Sequence, residues 1–209
     1  MNRFVVFFCL LFCTALTAQD FTKDTIQLQT VNISKRKVKI KSQYISSFCT
    51  HHENLRDNMA MVTLMDDLPV GYLHSITYVF NNAFDAKTAD FKDAEVELLF
   101  FEVNDDKTPG NKLSYSKKTV FVSKDFSGKM EIDLKGLTIK SDGKLFIGVK
   151  NLTKNIGNKA EFEVDGVCMS EKNSKREFIS YDRRNDASPW QLTRYPIEGI
   201  KMRVKVEVL

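Results

Sequence analysis

The residues of this chain best suited to chemistry fall into one late cluster, one early cationic run and three smaller groupings. The late cluster is Tyr181, Arg183, Arg184, Trp190, Arg194 and Tyr195. Aromatic rings with one apolar body and a polar edge, set beside guanidinium donors, suit the stacking and hydrogen bonding that a sugar requires. The simpler alternative is that Trp190 plugs one end of the fold and the arginines are solvated. It is preferred, because tryptophan is usually largely buried. The early run alternates Lys37, Lys39 and Lys41 with Val38 and Ile40. In a strand that pattern places the cations on one face and the apolar residues on the other. It serves either as a basic strip for an anionic glycan or lipid headgroup, or as an edge strand whose lysines discourage edge-to-edge pairing. The edge-strand reading is preferred.

The smaller groupings are weaker. His51-His52-Glu53 invites a metal, but neighbours in a strand point to opposite faces and no HxH or HExxH spacing is present, so no metal site is assigned. Asp105-Asp106 lacks the alternating ligands and closing Glu of a calcium loop, and reads as a solvated turn with Asx-type hydrogen bonds. Cys49 and Cys168 remain after two leader cysteines are set aside. They either pair in an oxidising compartment, closing a loop for which chain entropy predicts about 4–5 kcal/mol at best, or sit apart as small buried hydrophobes.

There is no GxSxG, P-loop, GxGxxG or Cys-His pair of familiar spacing, and no catalytic residue or cofactor is assigned. A pair of strand-end carboxylates acting as a glycosidase remains the most distant reading. The formal net charge is +4, with both signs interleaved, which is unlike the concentrated basic face of a nucleic-acid binder.

The address is written at the start. Arg3 precedes an apolar run from Phe4 to about Leu16, and small residues end at Ala18. This is the grammar of a secretory signal peptide, 1–18, with a run too short for the ~20 residues of a spanning helix. Cys9 and Cys13 each follow a phenylalanine, which is unsuited to lipid attachment. No later stretch is long enough to span. The expected product is exported, to the periplasm or the outer surface.

To position the late cluster and the basic run, the chain supplies strands. Ala94 to Lys150 is a succession of apolar, β-branched and aromatic runs broken by Asn, Asp, Pro, Gly and Ser, as in consecutive antiparallel strands. Expected strands include Met61–Leu64, Tyr72–Phe80, Val96–Val103, Leu113–Val122, Lys129–Leu134 and Lys144–Lys150. Further strands are expected at Glu161–Val167, Arg176–Tyr181 and Trp190–Thr193, and residues 49–60 read as polar and irregular. In the last run Ile200, Met202, Val204, Val206 and Val208 alternate cleanly with charged residues, as one buried and one solvated face demand. No sustained helical period appears after the leader. The fold class expected is all-β: a two-sheet antiparallel sandwich of jelly-roll type, with residues 19–60 joining a core at 61–209. Asn32-Ile33-Ser34 and Asn151-Leu152-Thr153 are formal glycosylation sequons, and Asp24-Thr25-Ile26 fits a loose bacterial O-glycosylation pattern.

Several of these runs carry a resemblance. Ile76–Phe80, Val96–Val103, the loop Lys107-Thr108-Pro109-Gly110 with Leu113, the strand ending Ile132-Asp133-Leu134, and Leu145–Val149 together resemble an exported Bacteroidetes β-sandwich module. Modules of that kind are found near outer-membrane receptor and carboxypeptidase-regulatory-like proteins. The late Trp190 is similar too, and the likeness covers about 130 residues. It implies a scaffold rather than a site. The resulting expectation is a non-enzymatic envelope interaction or accessory protein whose partner is an envelope protein or glycan. A carbohydrate-binding module is the alternative, and a glycan hydrolase comes third.

Overall fold

In the computed structural model the described residues are 38–46, 51–56, 58–81, 93–153, 163–167, 178–193 and 199–209, all within the unit Val38–Leu209. Period-two alternation becomes strand almost throughout. The first eight are β1 (Lys39–Ile45), β2 (His51–Asn54), β3 (Ala60–Met65), β4 (Gly71–Asn81), β5 (Ala94–Val103), β6 (Pro109–Lys112), β7 (Thr119–Val122) and β8 (Ser127–Asp133). The others are β9 (Lys140–Ser141), β10 (Leu145–Asn151), β11 (Glu163–Val167), β12 (Ser180–Arg183), β13 (Gln191–Leu192), β14 (Gly199–Ile200) and β15 (Met202–Val208). A 3-10 turn at Lys135–Leu137 is the one helical piece among the described residues. None of the helical structure there is long and apolar enough to cross a membrane.

These strands form two antiparallel sheets, a jelly-roll-like sandwich as expected. The eight-stranded sheet runs β1-β15-β4-β11-β14, with β2 beside β11 and with β8 and β9 beside β4. The seven-stranded sheet runs β13-β12-β3-β10-β5-β6, with β7 also on β5. Because β1 and β2 belong to the larger sheet, part of the 19–60 segment is built into the sandwich.

The core lies between the sheets and follows the alternation. Ile76, Tyr78 and Phe80 of β4 and Met202, Val204 and Val206 of β15 face Val96, Leu98 and Phe100 of β5 and Leu145, Ile147 and Val149 of β10. Each such side chain contributes about 1.5–3 kcal/mol relative to exposure. Among the described residues, two polar contacts join the sheets across this core. The Tyr78 hydroxyl donates to the Gly148 carbonyl at 3.2 Å. Thr63 Oγ1 accepts from the Ile200 amide and from Ser180 Oγ, both at 2.8 Å, so β14 of one sheet is tied to β3 and β12 of the other. Gly148 is the position that close packing demands: a Cβ there would lie 1.9 Å from the Met61 carbonyl oxygen.

The fold revises the expected strands in four places. His51–Asn54, expected irregular, is strand β2, paired with β11. Leu113–Val122 is not one strand. Pro109–Lys112 and Thr119–Val122 pair separately along the same edge of β5, and the span between them is not strand, although Leu113 and Lys118 at its ends still bond β5 through the backbone. There Tyr115 donates to the Leu98 carbonyl at 2.9 Å and sets its ring edge-on to Phe100 at 5.3 Å, so a tertiary contact overrides the local pattern. The strand expected at Arg176–Tyr181 begins at Ser180 and continues to Arg183.

The fourth revision concerns β1. It is an edge strand, as preferred, with lysines on one side and apolar residues on the other, but it is the lysine side that shares the inward face. Ile45 is in the core and pairs with Met202, so the alternation places Lys41 opposite buried Val206 and Lys39 opposite Val208, on the inward side. Val38 and Ile40 are left outward, 55% and 44% exposed. Register set by one core residue decides the face of every other residue in a strand. Both lysines stay exposed because they lie along the rim of the sheet.

Candidate functional site

The outer face of the seven-stranded sheet receives the late cluster. Ala60, Val62, Leu99, Phe101 and Phe146 point outward there and are nevertheless buried, forming a second apolar cluster. Its cover is the chain from 179 to 190: Ile179, Tyr181 and Trp190 pack on it half-buried. Tyr181 meets Phe146 edge-on at 5.7 Å, and Trp190 meets Phe101 edge-on at 5.3 Å. Arg183 lies over the Trp190 ring, its Cζ 4.4 Å from the centroid, and 5.8 Å from that of Phe101.

Charge is consumed on this face as well. Asp186 accepts from Arg183 at 2.9 Å and from Lys150 at 2.5 Å. Lys150 is only 7% exposed, and it sits opposite Glu97, itself buried and bonded to Lys112 at 2.7 Å. The Lys150 bond, first among several causes, holds the Asp186 carboxyl below the usual carboxylate range. Asp182, on the other side of β12, is pushed up by burial. Tyr181, Arg183 and Trp190 are therefore brought together, but their partners are residues of this chain. Trp190 roofs a sheet face; it does not plug the end of the sandwich. Arg184 is exposed beside this group. Arg194 and Tyr195 lie outside the described residues.

The outer face of the eight-stranded sheet is different. Two cross-strand rows lie side by side on it. One is Tyr44, Arg203, Thr77 and Glu131; the next is Ser42, Lys205, Ser75 and Asp133. Tyr44 is 48% exposed, and the Arg203 Cζ lies 5.1 Å from its ring centroid. Arg203 also donates to Ser42 Oγ at 3.4 Å, while its Nε is buried with no partner among the described residues. Glu131 accepts from Lys205 and from Ser75 Oγ, both at 2.6 Å, and these bonds, Lys205 first, keep its carboxyl below the ordinary range.

Past the Tyr44 row the strands frame a groove of about 400 Å³, lined by Tyr44, Thr77, Val79, Lys129, Lys201 and Arg203, with Glu131 at its side. Farther along the same strands, Tyr72 and Glu207 pair and line a hollow of about 220 Å³ with Lys135 and Thr138. A face bearing two exposed tyrosines, hydroxyls and ion pairs can hold a polar ligand by stacking and by hydrogen bonds. Sequence reasoning passed over it because its residues come one or two from each of four strands. The signal available was the outward half of each alternating run, Lys201-Arg203-Lys205 above all.

The remaining sequence candidates resolve as follows. Lys37, Cys49 and Cys168 lie outside the described residues, as do Asn32-Ile33-Ser34 and Asp24-Thr25-Ile26. The side chains of His51, His52 and Glu53 do too, and among the described residues no group of three His, Cys, Asp or Glu is placed to hold a metal. Asn151 is fully buried, donating to the Leu55 carbonyl and accepting from the Thr153 amide, so its nitrogen is not open to glycosylation in the folded protein. The Asp105-Asp106 loop is the Asx-type turn expected: Asp106 Oδ1 accepts from the Thr108 amide and hydroxyl, at 3.0 and 2.6 Å.

No family model matches the chain, and no curated protein matches it in sequence. Among solved structures it is similar to the cysteine protease and lectin-like domains of Cwp84, a surface layer associated protein of Clostridium difficile, at 12% identity and a TM-score of 0.50. That match covers 73% of this chain and 33% of the other. It is also similar to the clostridial cysteine protease Cwp84 after propeptide cleavage, again at 12% identity, with a TM-score of 0.55, covering 81% of this chain and 40% of that one. This chain thus spans well under half the length of either, and the likeness is one of fold.

Proposed function

We propose that this protein is an exported, non-catalytic binding module of the cell envelope, of the Bacteroidetes β-sandwich kind it resembles, and that it takes a glycan on the outer face of its eight-stranded sheet. The observation that carries this is the groove beside Tyr44: an exposed ring braced by Arg203, with Thr77, Glu131 and lysines around it and about 400 Å³ of space. A sugar needs an aromatic platform and several polar partners at once, and this face supplies both. The lectin-like domains among the structures of similar fold are compatible with the reading and add nothing beyond fold.

The test is affinity electrophoresis of the mature protein through gels containing polysaccharides extracted from a bacterial envelope. The mature protein is expected to be retarded by at least one fraction, and Tyr44→Ala to migrate freely. Retardation that survives Tyr44→Ala unchanged but is lost on altering Arg184 would move the site back to the late cluster. Release of reducing ends from a retained polymer would replace the binding module with a hydrolase. A protein partner is the second reading, favoured by the outward Ile40 on edge strand β1 and the exposed Val38 just before it. A pull-down that captures protein and no polysaccharide would support it.

A further inference from the structure

Resting on that reading of the Tyr44 face, we infer that the glycan carries fixed negative charge and that Lys129, Lys201 and Arg203 receive it. The lining itself makes the case. Among the described residues the groove holds three cations and one acid, and that acid, Glu131, is already bonded to a fourth cation, Lys205, and to Ser75. On the outward side β8 contributes Lys129 and Glu131 and β15 contributes Arg203 and Lys205, with Lys201 just before β15. Cations recur at the far end of the sheet, at Lys135 and Lys140, but there Glu207 and Asp142 accompany them. The whole chain is close to balanced, so this excess is local.

Arg203 strengthens the inference. It is anchored by its stack on Tyr44 and by one long bond to Ser42, while its Nε–H has no acceptor among the described residues. A buried donor left without a partner is costly, and a guanidinium presents paired donors that match a carboxylate. An acidic sugar stacked on Tyr44 places its anion within the field of all three cations, at a surface where salt screens only in part.

The experiment uses the mature protein with three probes: polygalacturonate, its carboxyl-reduced neutral counterpart, and a sulfated polysaccharide. Retardation by one or both acidic polymers, at least tenfold stronger than by the neutral one and lost in high salt, is the expected result. Whether the carboxylate or the sulfate polymer binds more tightly identifies the source of the charge. Lys129→Glu, at an exposed strand position, is expected to weaken acidic-polymer binding about tenfold. Lys117→Glu, the same charge change elsewhere on the surface, is expected to weaken it less than twofold. Equal losses in the two variants would show that net charge, not the groove, is responsible, and would overturn the inference. Equal retention of acidic and neutral polymers would overturn it while leaving the glycan reading intact. If no probe and no envelope polysaccharide is retained, both fall.

Discussion

The two outer faces of this sandwich are made by the same device, alternation along antiparallel strands, yet they end in opposite states. On the seven-stranded sheet the outward residues are Val62, Leu99, Phe101 and Phe146, and the chain folds back over them with Tyr181, Trp190 and Arg183. On the eight-stranded sheet the outward residues are Tyr44, Thr77, Glu131 and Arg203, and they line an open groove. An aromatic ring beside an arginine occurs on both. The Trp190–Arg183 pair is internal cladding, packed on Phe101 and tied to Asp186, whereas the Tyr44–Arg203 pair has an exposed ring and a donor without an acceptor among the described residues. Composition alone does not distinguish a binding site from a roof; what lies beneath the ring does.

The contrast can be broken most forcefully at Phe146. It is fully buried on an outward face, and Phe146→Ala is expected to cost about 3–5 kcal/mol in urea unfolding, as a core phenylalanine would. A loss below about 1 kcal/mol would mean that this face is not a second core. Trp190→Ala should cost less, about 2–3 kcal/mol, because the ring is only half-buried, with no change in glycan retention.

Acid titration sharpens the contrast further. The folded-state pKa of Asp186 is depressed, so its contribution to stability is present above the unfolded value near 4 and is lost as pH falls through the lower folded value. Asp182, raised by burial, works in the opposite sense, and stability is gained as it protonates. Asp186→Asn should therefore flatten the acid side of the stability curve, and Asp182→Asn should raise stability at neutral pH. Denaturant midpoints measured across that range would show both. The smallest effect on folding is expected at Tyr44. Tyr44→Ala should change stability by less than about 1 kcal/mol, the ring being nearly half exposed, while abolishing retention by the polysaccharide.

Much of the fold was legible because its signal is local. The alternation in Ile200–Val208 identified both strand and buried face, with Ile200, Met202, Val204 and Val206 in the core and Val208 half-buried. The strands read at Tyr72–Phe80 and Lys144–Lys150 are present as β4 and β10. Where reading failed, a contact distant in sequence had intervened. Tyr115 reaches back to Leu98 and breaks an expected strand, and Ile45 commits β1 to the register that turns its lysines inward. The candidate site suffered most. Of the residues singled out around Trp190, Tyr181, Arg183 and Trp190 do assemble, but onto Phe101 and Phe146, neither of which is near them in sequence.

By itself the sequence determined the all-β class, the order of most strands and the inward side of the last one, because a period of two is imposed by the pleat and needs no partner to be read. Only the tertiary structure decided which outward sides stay open. That depends on which strands become neighbours and where the connecting chain runs. Tyr44, Arg203, Thr77 and Glu131 form one row because β1, β15, β4 and β8 pair in that order, and no spacing along the chain encodes it.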